Sequence, residues 1–148
     1  MAYTKLIYHI VWRVKEGSYP ISPAHDRELY AYIYGYCNNH GCKVYRINGM
    51  PDHIHILLSV PPTIAIADFM HDLKISSSNF MKNRRDLFPE FIGWAASYGV
   101  FTVSESQRDT VYHYILGQKE HHKEVSFREE YMEFLKENGV DYDERYIK

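Results

Sequence analysis

Hydrophobic side chains recur with two different periods along the chain, and these periods predict strands and helices. Residues 6–14 alternate with apolar positions on both faces, which is typical of a strand that is at least partly covered on each side. Apolar residues at three- and four-residue spacing predict amphipathic helices over residues 22–39 and 66–81. The same criteria predict further strands over residues 43–47, 53–60 and 95–103 and further helices over residues 107 to about 121 and 126–139.

Turn and cap residues mark the ends of several of these elements. Gly41 follows the first helix, where a glycine readily adopts the left-handed conformation that ends a helix. The turn residues at 48–49 (Asn-Gly) and 51–52 (Pro-Asp) separate the second and third strands and predict an antiparallel hairpin. Ser126, with Glu129 three residues later, forms a capping-box pattern at the start of the last helix.

The first six elements follow the order strand, helix, strand, strand, helix, strand. This is the order of the ferredoxin-like, or RRM-like, βαββαβ fold, so we predict an α+β protein with an antiparallel sheet and helices on one face. The last two helices are additions, one rich in tyrosine and one terminal. At 148 residues, without a repeat, linker or low-complexity segment, the chain is expected to form one domain over residues 1–148.

The net charge of the whole chain is a poor guide to its partner. With 17 Lys and Arg against 19 Asp and Glu, the formal charge of -2 argues against a general polyanion-binding protein. The acidic excess, however, lies at the C-terminal end. Residues 119–148 carry nine acidic and six basic residues, which leaves 10 acidic and 11 basic residues in the first 118.

A basic patch lies in residues 73–85, which contain no acidic residue. Its cations and the Ser and Asn residues at 76–79 are suited to contact phosphates, while Phe80, Tyr45 or Trp94 are available to stack on bases. An ordinary solvated helix end has the same composition, and the pattern leaves that alternative open. The predicted DNA-binding residues are Lys74, Lys82, Arg84 and Arg85.

The sequence carries no sign of export or of membrane insertion. Its N-terminal residues lack the apolar stretch and cleavage site of a signal peptide, and no apolar run approaches the roughly 18–20 residues of a membrane span. We therefore expect a soluble, cytoplasmic protein without a membrane partner. Cys37 and Cys42 are too few for a disulfide framework or a zinc site, and we expect them to be reduced structural thiols.

Two histidines of the third strand are the first candidates for chemistry. His53 and His55 are two residues apart, so their side chains leave the same face of the strand and can hold a metal ion between them. Two histidines with separate local hydrogen bonds fit this spacing equally well. Because residues 56–60 are Ile-Leu-Leu-Ser-Val, any third metal ligand must come from a distant part of the sequence.

A tyrosine and a glutamine of the third helix are the next candidates. Tyr114 and Gln118 are four residues apart and share one helix face, whereas Tyr112 lies around the far side. A phenol is a poor nucleophile at neutral pH, but it can attack a phosphodiester when a metal ion neutralises the phosphate, and the Gln118 amide oxygen can ligate such an ion. Packing of Tyr114 in an aromatic-rich core is the alternative.

In combination, these residues resemble the single-tyrosine HUH transposases, the TnpA-type enzymes of the smallest bacterial insertion sequences and their REP-associated relatives. The similarity is carried by Asn-Gly-Met-Pro-Asp-His-Ile-His at residues 48–55 and by Tyr-x-x-x-Gln at residues 114–118. Gln-Lys-Glu-His-His at residues 118–122 and Tyr-Asp-Glu-Arg-Tyr at residues 142–146 resemble one branch of that family. The resemblance extends from about residue 3 to the end of the chain.

The resemblance implies a metal-dependent enzyme that cleaves and rejoins single-stranded DNA at the hairpin ends of an insertion sequence. Tyr114 would attack the scissile phosphate, form a 5′-phosphotyrosine link and release a 3′-hydroxyl. His53, His55 and Gln118 would hold the divalent ion, Mg²⁺ or Mn²⁺; two imidazoles favour Mn²⁺ in vitro, whereas abundance favours Mg²⁺ in the cell. The family also implies a homodimer, with the tyrosine helix acting in the same or the other subunit, and no small-molecule substrate.

Other functions stay open at this point. Another HUH nickase, a replication initiator or a relaxase, shares the histidine pair but differs in tyrosine placement or chain length. A domesticated single-stranded DNA-binding protein keeps the fold without cutting, and a small metal-dependent hydrolase needs no DNA. His121 and His122 stay outside the predicted catalytic set, because a solvated helix end rich in Lys and Glu explains them. His9 lies in no motif and is expected to be structural or exposed.

Overall fold

The computed structural model describes residues 2–15 and 17–147, which form four strands and five α-helices. Met1, Glu16 and Lys148 lie outside the described residues. The first residue of the N-terminal segment considered above is therefore not described. No described helix is both long enough and apolar enough to cross a membrane. The elements are β1 (Ile7–Val14), α1 (Asp26–Asn39), β2 (Lys43–Met50), β3 (His53–Ser59), α2 (Ile66–Lys82), β4 (Trp94–Val103), α3 (Arg108–Leu116), α4 (Gln118–His121) and α5 (Phe127–Glu137), with 3-10 turns at Glu105–Gln107 and Glu144–Tyr146.

The strands pair in the order β2-β3-β1-β4, and every pairing is antiparallel. This order confirms the predicted α+β class and the ferredoxin-like βαββαβ arrangement. Helices α1 and α2 pack on one face of the sheet, as predicted. The added C-terminal helices cover the opposite face, so the sheet lies between two helical layers.

Alternation along β1 directs its side chains to both layers. Ile10, Trp12 and Val14 join the main core with α1 and α2, whereas Ile7 and Val11 face the C-terminal helices. All five side chains are buried. Because both faces of β1 are covered, its sequence is almost continuously apolar.

The β2–β3 hairpin is tighter than the turn residues predicted. Residues 48–50 continue β2 and pair with residues 53–55, so only Pro51 and Asp52 form the turn. The expected role of Asn-Gly at 48–49 as turn residues is therefore wrong. Gly49 instead allows β2 to approach β3 closely. A Cβ at this position would lie 2.2 Å from the backbone oxygen of His53, the residue that follows the turn.

The last helix begins where its capping box predicts. The Ser126 hydroxyl accepts a hydrogen bond from the backbone N–H of Glu129 at 3.2 Å, and Gly139, with φ of +67°, follows the helix end. The apolar side of α5 packs on β1 and β4 through Phe127 and Tyr131. This docking also places Glu130 and Phe134 of the same helix beside His55 of β3.

Both cysteines are buried free thiols, as expected. Burial raises the pKa of Cys37 to about 12 and also raises the pKa of Cys42. Because the thiolate is the reactive form, we expect the native protein to react slowly with DTNB at mildly alkaline pH and to react fully in denaturant. Rapid reaction of either thiol in the native protein would contradict a purely structural role.

Candidate active site

The two histidines of β3 point to the same side of the sheet, and both are fully buried. Each Nδ1 atom has a neighbour: Asp52 Oδ1 lies 2.7 Å from His53 Nδ1, and His9 Nε2 lies 2.7 Å from His55 Nδ1. The Nε2 atoms are therefore directed toward α4 and α5. A hydrogen bond at Nδ1 orients an imidazole so that Nε2 is available to a metal ion.

Tyr114 and Gln118 reach the same cluster from the C-terminal helices. The Gln118 amide oxygen lies 3.2 Å from His53 Nε2, and the Gln118 side chain is fully buried. The Tyr114 ring lies edge-on to His55, with 6.0 Å between the ring centroids. A single chain thus brings together the four residues that were predicted to hold the ion and to attack the phosphate.

The helix that was predicted to run continuously through Tyr114 and Gln118 is interrupted between them. Helix α3 ends at Leu116, and α4 begins at Gln118. Asn48 of β2 explains the break, since its Nδ2 donates to the backbone oxygens of Ile115 and Leu116 at 3.0 and 3.1 Å. These carbonyls bind a side chain instead of the N–H groups of a following helical turn.

We expect Asn48→Ala to destabilise the protein and to slow DNA cleavage. The change removes the donor to both carbonyls and the acceptor for Lys119 Nζ, which lies 3.1 Å from Asn48 Oδ1. Hydrogen-bond losses of this kind cost about 1–3 kcal/mol of unfolding free energy. Chemical denaturation measures the loss, with Asn38→Ala, an exposed change on α1, as control. If Asn48→Ala is as stable as wild type, this side chain does not hold α3 and α4 in place.

A glutamate that no sequence motif marked lies at the centre of the cluster. Glu130 of α5 is 3% exposed. Its Oε2 atom accepts hydrogen bonds from the Tyr114 hydroxyl and from Gln118 Nε2. Its Oε1 atom faces three imidazole Nε2 atoms, at 2.9 Å (His55), 3.1 Å (His122) and 3.6 Å (His53).

The sequence contains a weak signal for Glu130. The residue lies three positions after Phe127 and next to Tyr131, on the apolar side of an amphipathic helix where an acidic residue is out of place. The signal is weak because the C-terminal segment contains many other acidic residues, and a solvated helix has the same acidic composition. A buried acidic side chain needs a partner, and His55 lies 75 residues away in sequence.

Burial and the Glu130 carboxylate set the charges in the cluster. Burial favours a raised pKa for Glu130, but hydrogen bonds with His122 and His55 outweigh it and hold that pKa well below its usual value. Burial lowers the pKa of His55 to about 4, against the opposing effect of Glu130. For His122 the carboxylate outweighs burial and raises the pKa. Burial and the carboxylate together raise the pKa of Tyr114, so its hydroxyl stays protonated.

Three further histidines belong to the site or its border. His9 is buried and supports His55, which agrees with a structural role. The interpretation as a solvated helix end is wrong for His122, whose side chain is 4% exposed and contacts Glu130. His121 is more open, with its side chain 33% exposed and its Nε2 atom 3.4 Å from Glu130 Oε2.

The four predicted DNA-binding residues lie away from this cluster. Lys74 and Lys82 are on α2, and Arg84 and Arg85 directly follow that helix. Helix α2 belongs to the layer on the other face of the sheet from His53. Contact between this patch and DNA therefore stays a prediction.

Three of these four cations already have partners within the chain. Lys74 Nζ donates to the backbone oxygens of Ala95 and Ser97 at 2.9 and 3.0 Å, where β4 departs from regular pairing with β1. The lysine thus satisfies carbonyls that the irregular strand leaves free. The other two pairs are Arg84 with Asp86 at 3.1 Å and Arg85 with the backbone oxygen of Phe91 at 2.5 Å.

Sequence comparison relates the chain to transposases. Residues 2–118 match the model of the family described as "Transposase IS200 like". The chain is also 32% identical over 124 residues to the ISDra2 transposase TnpA of Deinococcus radiodurans, in a match that covers 81% of this chain and 87% of that protein.

Two solved structures are similar in fold. The crystal structure of a protein described as a transposase from Deinococcus radiodurans has a TM-score of 0.61 and 28% identity, and the match covers 79% of this chain and 93% of that chain. A REP-associated tyrosine transposase bound to a REP hairpin has a TM-score of 0.62 over 84% of this chain and 73% of that chain. At 11% identity, the second similarity concerns the fold alone.

The family match covers the part of the site that the motifs marked. It includes the histidines of β3, Tyr114 and Gln118, and it ends before His122 and Glu130. The family match and the relative confirm the resemblance drawn from the motifs. This chain belongs to the IS200-like transposases and is a DNA-cleaving and strand-transferring enzyme of the single-tyrosine type.

Proposed function

We propose that this chain cleaves and rejoins single-stranded DNA through a covalent bond to Tyr114. The phenolic oxygen gives up its proton and attacks the scissile phosphorus, and the bond from phosphorus to the 3′-oxygen breaks. The leaving oxygen takes up a proton to become a 3′-hydroxyl, so the step neither releases nor consumes a net proton. The protein stays joined to the 5′-phosphate until a 3′-hydroxyl reverses the reaction at a new junction. The convergence of Tyr114 with His53, His55 and Gln118 in one buried cluster carries this proposal.

The residues predicted to bind a metal fit a divalent ion. His53 and His55 offer Nε2 atoms, and Gln118 offers Oε1, in a region closed to bulk water by burial. We propose Mg²⁺ or Mn²⁺, and imidazole donors favour Mn²⁺. When bound, such an ion neutralises charge on the phosphate and favours in-line displacement.

Glu130 holds the attacking group. Its carboxylate accepts the hydrogen bond of the Tyr114 hydroxyl and so directs the lone pairs of the phenolic oxygen. Glu130 therefore positions the Tyr114 hydroxyl in the site.

The proposed substrate is the hairpin end of a small insertion sequence. The REP hairpin bound by the transposase of similar fold supports this class of DNA. We also propose that the chain acts as a homodimer. Because Tyr114 meets the histidines within one chain, each subunit of such a dimer contains a complete site.

A cationic and aromatic surface formed by β2 and α3 supports binding of single-stranded DNA. The cations of Lys43 and Arg108 lie 5.4 and 5.0 Å from the ring centroid of Tyr45. Arg46 lies over the ring of Tyr112 at 5.9 Å. Positive charge interleaved with aromatic rings is suited to hold a phosphate backbone and stacked bases. This surface and the predicted patch around α2 are both proposed DNA contacts.

End-labelled DNA tests the proposed reaction. The chain is incubated with a single-stranded element-end hairpin and Mn²⁺, with the label at either the 5′ or the 3′ end, and run on a denaturing gel. We expect the 3′ label to move with the protein and the 5′ label to appear as a shorter free strand, because the 5′-phosphate of the downstream fragment is bound. The opposite distribution contradicts a 5′-phosphotyrosine link. A shift on a native gel without any covalent band supports a binding protein instead.

A further inference from the structure

We propose that His122 and Glu130 are metal ligands in this chain, so that His53, His55, His122 and Glu130 hold the ion together with the Gln118 amide oxygen. The inference rests on the proposed metal dependence of the reaction and extends the binding site beyond the segment that matches the IS200-like family. It assigns a binding role to the short segment between α4 and α5 and to α5 itself.

The first support is the spacing of the four donor atoms. One ligand atom from each of these residues lies within 4.8 Å of the others. Donors bound at about 2.1 Å around one ion are separated by about 3.0 Å when adjacent and about 4.2 Å when opposite. The four side chains therefore need only small movements to share an ion.

The second support is the direct contact between His122 and Glu130. The backbone oxygen of Val125 lies 2.5 Å from His122 Nδ1, and the other ring nitrogen, Nε2, faces Glu130 Oε1 at 3.1 Å. An imidazole nitrogen and a carboxylate oxygen at this separation can both bind one ion, which then takes the place of the proton between them.

At His53 two acceptor groups face the same ring nitrogen. Asp52 Oδ1 accepts the proton of His53 Nδ1, so in a neutral imidazole Nε2 presents a lone pair. This lone pair faces the amide oxygen of Gln118 at 3.2 Å and the carboxylate of Glu130 at 3.6 Å. Several acceptor atoms thus point at one small region, and a shared cation satisfies all of them at once.

A cleft provides access for the ion from solvent. It opens beside Tyr114 and His121 and is lined along α5 by Glu129, Glu133 and Glu137. These carboxylates attract cations to the opening. Glu130 also lines this cleft and connects it to the donor cluster. Imidazole nitrogens together with carboxylate and amide oxygens suit Mn²⁺ or Zn²⁺ better than Mg²⁺.

Metal binding by the full chain, without DNA, tests the inference. Metal-free protein is titrated with Mn²⁺, and free Mn²⁺ is counted by electron paramagnetic resonance. We expect one ion per chain in wild type and an affinity at least about tenfold lower in Glu130→Gln and His122→Asn. Glu28→Gln, at an exposed position of α1, and His113→Ala, at an exposed histidine of α3, should bind as wild type does.

Two measurements separate loss of ligands from loss of folding. Far-UV circular dichroism must show that each variant is folded, and the visible spectrum of bound Co²⁺ should differ between wild type and Glu130→Gln. Wild-type affinity in both variants, together with loss of binding in His53→Ala, overturns the inference, as does a wild-type chain that binds no Mn²⁺. If the covalent DNA adduct forms but changes at His122 and Glu130 leave Mn²⁺ affinity unchanged, this inference alone is refuted. Metal binding that depends on all four residues, without any adduct, refutes the proposed reaction alone.

Discussion

Tyr114→Phe is expected to abolish the covalent protein–DNA adduct while the protein stays folded and still binds single-stranded DNA. The change removes the attacking oxygen and leaves the ring in its packing against His55 and Phe134. Glu130 loses one hydrogen bond and keeps those with Gln118 and His55. The expected cost in unfolding free energy is about 1 kcal/mol. A denaturing gel with end-labelled DNA measures the adduct, and a native gel measures binding.

Tyr112→Phe is the matched control for this prediction. Tyr112 lies on the same helix, and its ring packs near Arg46 on the side away from the histidines. It contributes no atom to the contacts of Glu130. Because phenylalanine keeps the ring that lies beside Arg46 in the proposed DNA surface, the control should form the adduct at the wild-type level. An adduct formed by Tyr114→Phe and lost in Tyr112→Phe would show that the nucleophile is assigned to the wrong tyrosine.

Gly49→Ala is expected to disrupt both the fold and the active site. The new Cβ would lie 2.2 Å from the backbone oxygen of His53 and 3.0 Å from the Cα atom of Ile54. These are backbone atoms of β3, so relief requires the hairpin to open beside a residue of the site. Overpacking costs about 1–3 kcal/mol of unfolding free energy where side chains can move. We expect a clash with backbone atoms to cost at least as much as the upper end of that range. Thermal or chemical denaturation measures the loss, and the covalent adduct should fall with it.

Gly35→Ala is expected to have the opposite effect on stability. Gly35 lies in the middle of α1, and no atom lies within 4 Å of the position that its Cβ would take. Alanine loses less conformational freedom than glycine on entering a helix, so the variant should be more stable by about 0.5–1 kcal/mol. Its adduct formation should match wild type. Equal stability of Gly49→Ala and wild type would mean that the hairpin yields locally, contrary to the close approach described above.

Patterns between near neighbours in sequence predicted much of the fold and part of the site. The alternation in β3 places His53 and His55 on one face because successive strand side chains point to opposite sides. The capping box at Ser126 marks the start of α5 because it satisfies N–H groups within the same turn. The order of six elements was sufficient to predict the sheet, since few topologies connect them without crossing.

Two predictions failed for different reasons. Helix α3 ends early because the side chain of Asn48, 67 residues before Ile115, binds its backbone carbonyls, and a local pattern does not contain this partner. The turn of the hairpin is shorter than expected because Gly49 allows β2 to continue close to β3. Asn-Gly is a common turn pair, and the sequence does not show that here the close approach of two strands requires the glycine.

The sequence was therefore sufficient to predict the sheet from periodicity and to identify the family from the resemblance of its motifs. That resemblance also supplied the proposed ligands His53, His55 and Gln118 and the proposed nucleophile Tyr114. Folding established that α5 inserts Glu130 among these residues and that His122 is buried with them. The physical reason is that an amphipathic helix is buried against whichever apolar surface the rest of the chain offers. Here β1 and β4 form that surface, and packing of α5 on it places Glu130 in contact with His55 of β3.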